Sequence, residues 1–176
     1  TINIRKISDN KIISEEIKET SGSIIWSLDD KHIFYSKLDK YHRPRKIYRH
    51  KVGTRTEKDK LIYEEKDKGF TCGIGISSDE KYFFISTSDH TTSEIYFFNA
   101  NEENPIPKLF KQRQKEIKYS VDSWKGNFFI HTNLHAEDFK ICTCKHENIK
   151  EWKDYIPATK GVLIGKIGRA SCRERV

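Results

Sequence analysis

The 176-residue chain has no methionine, four prolines, nine glycines and no apolar run long enough to cross a bilayer as a helix. Thr1 opens no basic-then-apolar leader, so no secretory signal is read there. The missing initiator and the start in mid-pattern lead to the expectation that the natural protein extends upstream. No stretch carries a helical stripe of apolar residues at three-four spacing. Hydrophobic residues make up 35% and mean hydropathy is −0.77, little material for one large core. Many short strands with wet loops fit that composition better.

The end of the chain, 166–176, follows neither a strand period nor a helix period. Back-translated, Ile167-Gly168-Arg169-Ala170-Ser171-Cys172-Arg173-Glu174-Arg175-Val176 reads as a sequencing-library adapter, with Lys166 completing it. It is therefore treated as a non-native tail and excluded from fold reasoning. The tail holds Lys166, Arg169, Arg173 and Arg175 against Glu174, which is three of the seven excess positive charges. The remaining Lys and Arg are scattered among nearly as many Asp and Glu. That is a solvated surface and lacks the basic stripe that nucleic acid requires, so neither nucleic acid nor membrane is an expected partner. Without Cys172 there remain Cys72, Cys142 and Cys144, an odd number with no disulfide framework. A reducing compartment follows, and the cytoplasm is the expected location, with the periplasm left open.

What the chain does have is a cassette repeated three times. A polar turn and aromatic run appears as Asp29-Asp30-Lys31-His32-Ile33-Phe34-Tyr35, as Ser78-Asp79-Glu80-Lys81-Tyr82-Phe83-Phe84 and as Trp124-Lys125-Gly126-Asn127-Phe128-Phe129. Phe34, Phe84 and Phe129 are equivalent. A second line follows in each copy: Lys46-Ile47-Tyr48-Arg49, Glu94-Ile95-Tyr96-Phe97 and Lys140-Ile141-Cys142-Thr143. A third completes it: Lys60-Leu61-Ile62-Tyr63, Lys108-Leu109-Phe110 and Glu151-Trp152-Lys153. Each copy divides into four strand-like runs separated by polar or Gly/Pro turns, the pattern of antiparallel neighbours joined by hairpins.

Four such strands in about 45 residues, repeated in series, match the blade of a β-propeller. The expected fold is all-β, a partial β-propeller of three four-stranded antiparallel blades at 21–67, 68–113 and 114–157. Residues 1–20 are expected to be outer strands of a preceding blade, Asn3–Ile7 and Lys11–Ile17. Residues 158–165 are expected to begin the next blade.

Several residue groups invite a chemical reading. Cys142-x-Cys144-x-His146 would place three soft ligands on one strand face, but a zinc site normally recruits a second ligand pair, and a half-buried strand face explains them. His131, His135 and Asp138 span a strand end and its loop. Gly73-Ile74-Gly75 lies inside a strand run with no helix after it, so it is no phosphate cradle, and close packing near the propeller axis is expected there. Glu64, Glu65 and Asp67 could suggest acid-base work or a cation site, but alternation on an outer strand points them to solvent. No Gly-x-Ser-x-Gly elbow occurs. Among the inner strands only Asp122 offers an axial carboxylate. No catalytic, cofactor-binding or metal residue is assigned, and no cofactor is expected.

The stretches Arg43-Pro44, Tyr48-Arg49-His50-Lys51-Val52-Gly53-Thr54 and Asp59-Lys60-Leu61-Ile62-Tyr63-Glu64-Glu65-Lys66-Asp67 resemble the oligopeptidase B branch of the prolyl oligopeptidase family. The resemblance continues through Thr91-Thr92-Ser93-Glu94, Arg113, Ile117-Lys118-Tyr119-Ser120-Val121-Asp122, Thr132-Asn133, Asp138-Phe139-Lys140 and Trp152-Lys153-Asp154-Tyr155-Ile156-Pro157. It implies a seven-bladed propeller capping an α/β-hydrolase domain of the same parent chain, in a serine oligopeptidase that cleaves short peptides after Arg or Lys. The propeller would restrict access by size. The family's Ser, Asp and His triad belongs to the hydrolase domain and matches no position here. The chain alone is therefore expected to be inactive. A stand-alone propeller acting as a protein-interaction module is the alternative, and a propeller enzyme with an axial site a further one.

Overall fold

The computed structural model describes residues 1–13 and 16–165; the expected adapter-derived tail, 166–176, lies outside the described residues. The first sheet comprises β1 (Thr20–Trp26), β2 (His32–Leu38), β3 (Pro44–Lys51) and β4 (Lys60–Glu64). The second comprises β5 (Thr71–Ile76), β6 (Tyr82–Ser88), β7 (Ser93–Asn99) and β8 (Lys108–Lys111). The third comprises β9 (Tyr119–Trp124), β10 (Asn127–Thr132), β11 (Lys140–Lys145) and β12 (Lys153–Ile156). Each sheet is antiparallel with its strands in sequence order, so each is one blade of a β-propeller. A single 3-10 turn, Thr56–Lys58, is the helical structure among the described residues, and no helix there is long and apolar enough to cross a membrane.

The hairpin that joins the first two strands is written into the sequence twice. In Ser27-Leu28-Asp29-Asp30-Lys31-His32, the Ser27 hydroxyl accepts the His32 N–H at 3.0 Å and donates to Asp29 Oδ1 at 2.5 Å. Asp29 Oδ1 also accepts the Lys31 N–H at 3.1 Å. Ser77 and Asp79 repeat this, with Tyr82 N–H donating to the Ser77 hydroxyl at 3.0 Å and that hydroxyl to Asp79 at 2.8 Å. Such side-chain bonds replace the ladder bonds that the turn gives up. Both turns need one residue in the left-handed region, Asp30 at φ 56° and Glu80 at φ 58°. The third blade takes a shorter route: Lys125 and Gly126 both have positive φ between the paired Trp124 and Asn127, the backbone of a type I′ turn.

The core does not lie inside any sheet. It lies between sheets, because the second strand of each blade buries alternate residues on opposite sides. On β2, Ile33 and Tyr35 pack with Ile2, Ile4 and Ile17, whereas Phe34 packs with Ile47 and, from the second blade, Cys72, Phe83, Ile85 and Phe98. On β6, Phe84 turns the other way and joins Ile95 and Phe110 against Tyr119, Phe128, Ile130, Cys142 and Cys144 of the third blade. On β10, Phe129 faces away from that seam and meets the Tyr155 ring at 5.4 Å. The equivalence of Phe34, Phe84 and Phe129 read from the cassette is thus an equivalence of facing.

A second repeat appears only in the structure. Where the third and fourth strands pair, the register slips at the same cassette position in every blade: between Ile47 and Tyr48, between Ile95 and Tyr96, and between Ile141 and Cys142. Such a bulge leaves backbone groups without ladder partners. In the second blade the Tyr119 hydroxyl, from β9, fills the gap. It accepts the Ile95 N–H at 3.0 Å and donates to the Lys111 carbonyl.

Some expectations change. The described residues of 3–7 and 11–17 form no pair of strands. They make isolated antiparallel bridges, Ile2 with Ile17 and Arg5 with Ile12, because only Ile2, Ile4 and Ile17 find an apolar seam to enter. Residues 158–165 hold only the Thr159–Val162 bridge, and the segment is clasped by the third blade through Gly161 N–H to Asp138 Oδ2 at 2.8 Å. Gly73 and Gly75 lie on β5, yet a Cβ at either would meet nothing within 4 Å, so close packing among the described residues does not call for glycine there.

Phe128 is fully buried and its ring lies 5.0 to 6.0 Å from those of Tyr82, Phe84, Phe97 and Phe110. Phe128→Ala is expected to cost about 3–5 kcal/mol in urea unfolding of the intact protein, as a core phenylalanine does. Gly73→Ala is expected to be neutral or to stabilise by up to about 1 kcal/mol.

Candidate functional site at the blade seams

Polar chemistry in this chain concentrates where blades meet. The largest cluster joins the first and second blades at the ends of their outer strands. Alternation predicts solvent for Glu64, Glu65 and Asp67, and Glu64 follows it, 3.3 Å from Lys46 Nζ. Glu65 does not. It lies just past β4, where the strand period has stopped, and it is 4% exposed. Glu94, on β7, is buried to the same degree. Arg113 reaches both: its Nη2 lies 2.7 Å from Glu65 Oε2 and 2.8 Å from Glu94 Oε2, and its Nε donates to Glu94 Oε2 at 3.0 Å.

The remaining lone pairs are also served. Glu65 accepts the Tyr63 hydroxyl at 3.1 Å and the Asp67 N–H at 2.9 Å. Glu94 accepts the Tyr96 hydroxyl at 3.1 Å and the Arg113 N–H at 2.8 Å. The Tyr63 and Tyr96 rings pack at 4.8 Å, and the guanidinium sits 4.0 Å over Phe70. Burial pushes the Glu65 carboxyl up, but the Asp67 N–H and Arg113 outweigh it and hold it below its ordinary value of 4.5. Cys72, nearby, is pushed up to about 12 by burial and then by the Glu65 charge, so its thiol is inert.

Two other clusters carry catalytic residue types without catalytic exposure. His50 is fully buried, with Nδ1 2.7 Å from Asp59 Oδ1, and Tyr35 donates to Asp59 Oδ2 at 2.9 Å. Sequence reading did not single out this trio; its signal is only that Tyr35, His50 and Asp59 fall in one blade. At the next seam, the Ser123 hydroxyl lies 2.9 Å from Asp79 Oδ2 and 3.0 Å from His146 Nε2, while Tyr82 Oη is 3.2 Å from His146 Nδ1. Ser123 is fully buried and its hydroxyl is engaged with the carboxylate of the neighbouring blade. An acyl acceptor needs an exposed nucleophile and oxyanion donors, so this arrangement holds blades together.

The sequence-selected groups are dispersed by the fold. Cys142 and Cys144 share the face that packs on the second blade, and burial raises both thiols to about 11. His146 lies beyond the end of β11 and turns to Ser123. No group of three or more metal-ligating side chains is gathered among the described residues. His131 Nε2 donates to the Ile164 carbonyl at 2.7 Å, Asp138 receives the Gly161 N–H, and His135 is exposed. Asp122 is not free in a channel. It accepts the Ser78 N–H at 2.8 Å and hydroxyl at 2.5 Å, across the seam from the second blade.

Residues 1–171 match the family model for the N-terminal beta-propeller domain of prolyl oligopeptidase. The chain is 33% identical over 146 residues to Protease 2 of Moraxella lacunata, covering 82% of this chain and 21% of that protein. It is 27% identical over 168 residues to Dipeptidyl aminopeptidase BI of Pseudoxanthomonas mexicana, covering 93% of this chain and 23% of that protein. The chain thus spans under a quarter of the length of either relative. Among solved structures, oligopeptidase B from Leishmania major superposes with a TM-score of 0.87 at 22% identity, over 92% of this chain and 23% of that one.

Removing the shared cation would leave two buried carboxylates facing each other. Arg113→Met is expected to destabilise the intact protein at pH 7 by roughly 3 kcal/mol, read by urea unfolding. Because Glu65 is held below 4.5, its contribution is present above that value and is lost as pH falls through the folded-state value. The variant lacks that contribution, so the gap between the two proteins should close on acidification from pH 7 through the carboxylate range.

Proposed function

This chain belongs to the prolyl oligopeptidase family, in its N-terminal β-propeller domain, and from that membership we propose that it is the gating part of a serine oligopeptidase of the oligopeptidase B type. The parent protein hydrolyses short peptides after Arg or Lys, and its catalytic α/β-hydrolase domain lies elsewhere in the same parent chain. The 33% identity to Protease 2 carries this reading, together with the continuous run of motifs from Arg43 to Pro157. Residues 1–20 would then be the outer part of a preceding blade, residues 158–165 the opening of the next, and the whole ring seven blades. Buried, free Cys72, Cys142 and Cys144 suit a reducing cytoplasm.

The role assigned to these blades is steric. Their seams are packed with rigid aromatic rings and closed at the rims by fully bonded carboxylates, so the wall resists deformation. A stiff ring over a buried active site admits a thin extended peptide and rejects a folded domain. The exclusion needs no reactive group from the propeller, which agrees with seam polar groups that are engaged with each other.

The intact parent should hydrolyse a chromogenic peptide ending in Arg and leave a folded protein of ordinary domain size uncut, whereas purified 1–176 should show no hydrolysis of either. Hydrolysis by the isolated chain, or equal rates on the folded and unfolded forms of one protein substrate by the parent, would overturn the gating assignment.

A further inference from the structure

The rim of the first blade gathers four basic side chains, Arg49, Lys51, Lys58 and Lys60, that no described carboxylate answers. In the ladder, the Arg49 cation stands directly opposite Lys60, and next to it Lys51 stands opposite the His32 imidazole. Like charges placed opposite each other cost a sheet stability. Lys58, in the 3-10 turn between β3 and β4, adds another charge. These five side chains border an open cleft of about 210 Å³.

What distinguishes Arg49, Lys51, Lys58 and Lys60 is that four basic side chains without a described carboxylate partner line one cleft. Lys37, Lys46 and Lys140 each pair with a carboxylate, Glu19, Glu64 and Asp154. The four around the cleft meet neutral acceptors where they meet any. Arg49 Nη1 donates to the Glu103 carbonyl of the second blade, Nη2 lies 3.2 Å from His32 Nδ1, and the Nε is buried without an acceptor. Lys60 Nζ donates to Asn104 Oδ1 at 3.0 Å. The nearest carboxylate is Asp29, 3.7 Å from His32 Nδ1 and occupied with its own turn. Burial, then the Arg49 charge, hold His32 below its ordinary value, as expected in a positive field.

We propose that this cleft is a binding site for a compact dianionic oxyanion of the phosphate type, held by Arg49, Lys51, Lys58 and Lys60. A dianion matches four fixed positive charges better than a single carboxylate, and a guanidinium fork suits tetrahedral oxygens. At roughly 30 Å³ per water, the cleft has room for such an ion with part of its hydration, and not for an extended polymer. The ligand is either free phosphate or the phosphoryl group of a small phosphomonoester. Bound there, it relieves the opposed cations of β3 and β4 and ties them to the loop holding Glu103 and Asn104. The proposal does not rest on the peptidase reading, because its readout is anion binding alone.

The intact protein is titrated with inorganic phosphate and, in parallel, glycerol 3-phosphate, at constant ionic strength set with sodium chloride. Binding is read by calorimetry and by the rise in Tm that a ligand of the folded state produces. A saturable signal with either anion is expected, the tighter one naming the source. Arg49→Gln should weaken binding by about tenfold or more, the loss of a charge-assisted pair. If that variant does not fold, the exposed pair Lys51→Gln with Lys58→Gln carries the same expectation. Lys46→Gln, at a lysine on the same strand as Arg49 but paired with Glu64 of β4, should bind within about twofold of the unsubstituted protein. No saturation with either anion, an equal response to chloride, or unchanged binding in the cleft variants would overturn the site.

Discussion

Everything in this chain depends on burial that no sheet achieves by itself. The second strand of each blade is apolar on both faces, and the two faces belong to different seams: Ile33 and Tyr35 one way, Phe34 the other; Phe83 and Ile85 one way, Phe84 the other. An ordinary antiparallel sheet presents one face to the core and one to water. Here the alternation cannot do that, so a single blade in water would expose half its apolar surface. Stability is therefore a property of neighbours, as in other repeat architectures. This also explains how a chain with only 35% hydrophobic residues folds: the same few aromatic rings are shared between adjoining units.

Upon that apolar layer lies a polar one, and it too is shared. Arg113 draws carboxylates from both blades it touches, Asp79 serves its own turn with one oxygen and Ser123 of the next blade with the other, and Asp122 reaches back to Ser78. Few of these groups could be exchanged for apolar ones without orphaning a partner. They fix which blade follows which, a specification that aromatic packing alone would leave loose, since phenylalanine tolerates many partners.

How far this could be read in advance varied with the length scale of the signal. The blades were legible because aromatic runs and polar turns recur at a fixed period and alternate within each strand. Alternation also placed Cys142 and Cys144 on one buried face. It failed where strands end: Glu65 and His146 each lie one residue past the last ladder residue, so their directions are set by loop geometry. The Arg113 node was invisible for a related reason, since its members are 19 and 48 residues apart and meet only when two blades close. Gly73 and Gly75 mislead in the opposite sense, because glycine in a strand suggests crowding and no described atom lies within 4 Å of a Cβ built at either. At the N-terminus, the described residues of a plausible strand pair show only isolated bridges, with Ile2, Ile4 and Ile17 entering an apolar seam.

The Tyr119 hydroxyl in the bulge of the second blade bears on the order in which the protein is made. Ile95 leaves the ribosome 24 residues before the side chain that satisfies its N–H. Until then the outer hairpin of that blade has an open backbone donor and an unanchored slip in register. The second blade is thus completed with a delay: it stays provisional while β9 is being translated, and is latched only when Tyr119 arrives. A pause in synthesis between β8 and β9 would hold the second blade in that unlatched form, with the Phe84 face still wet.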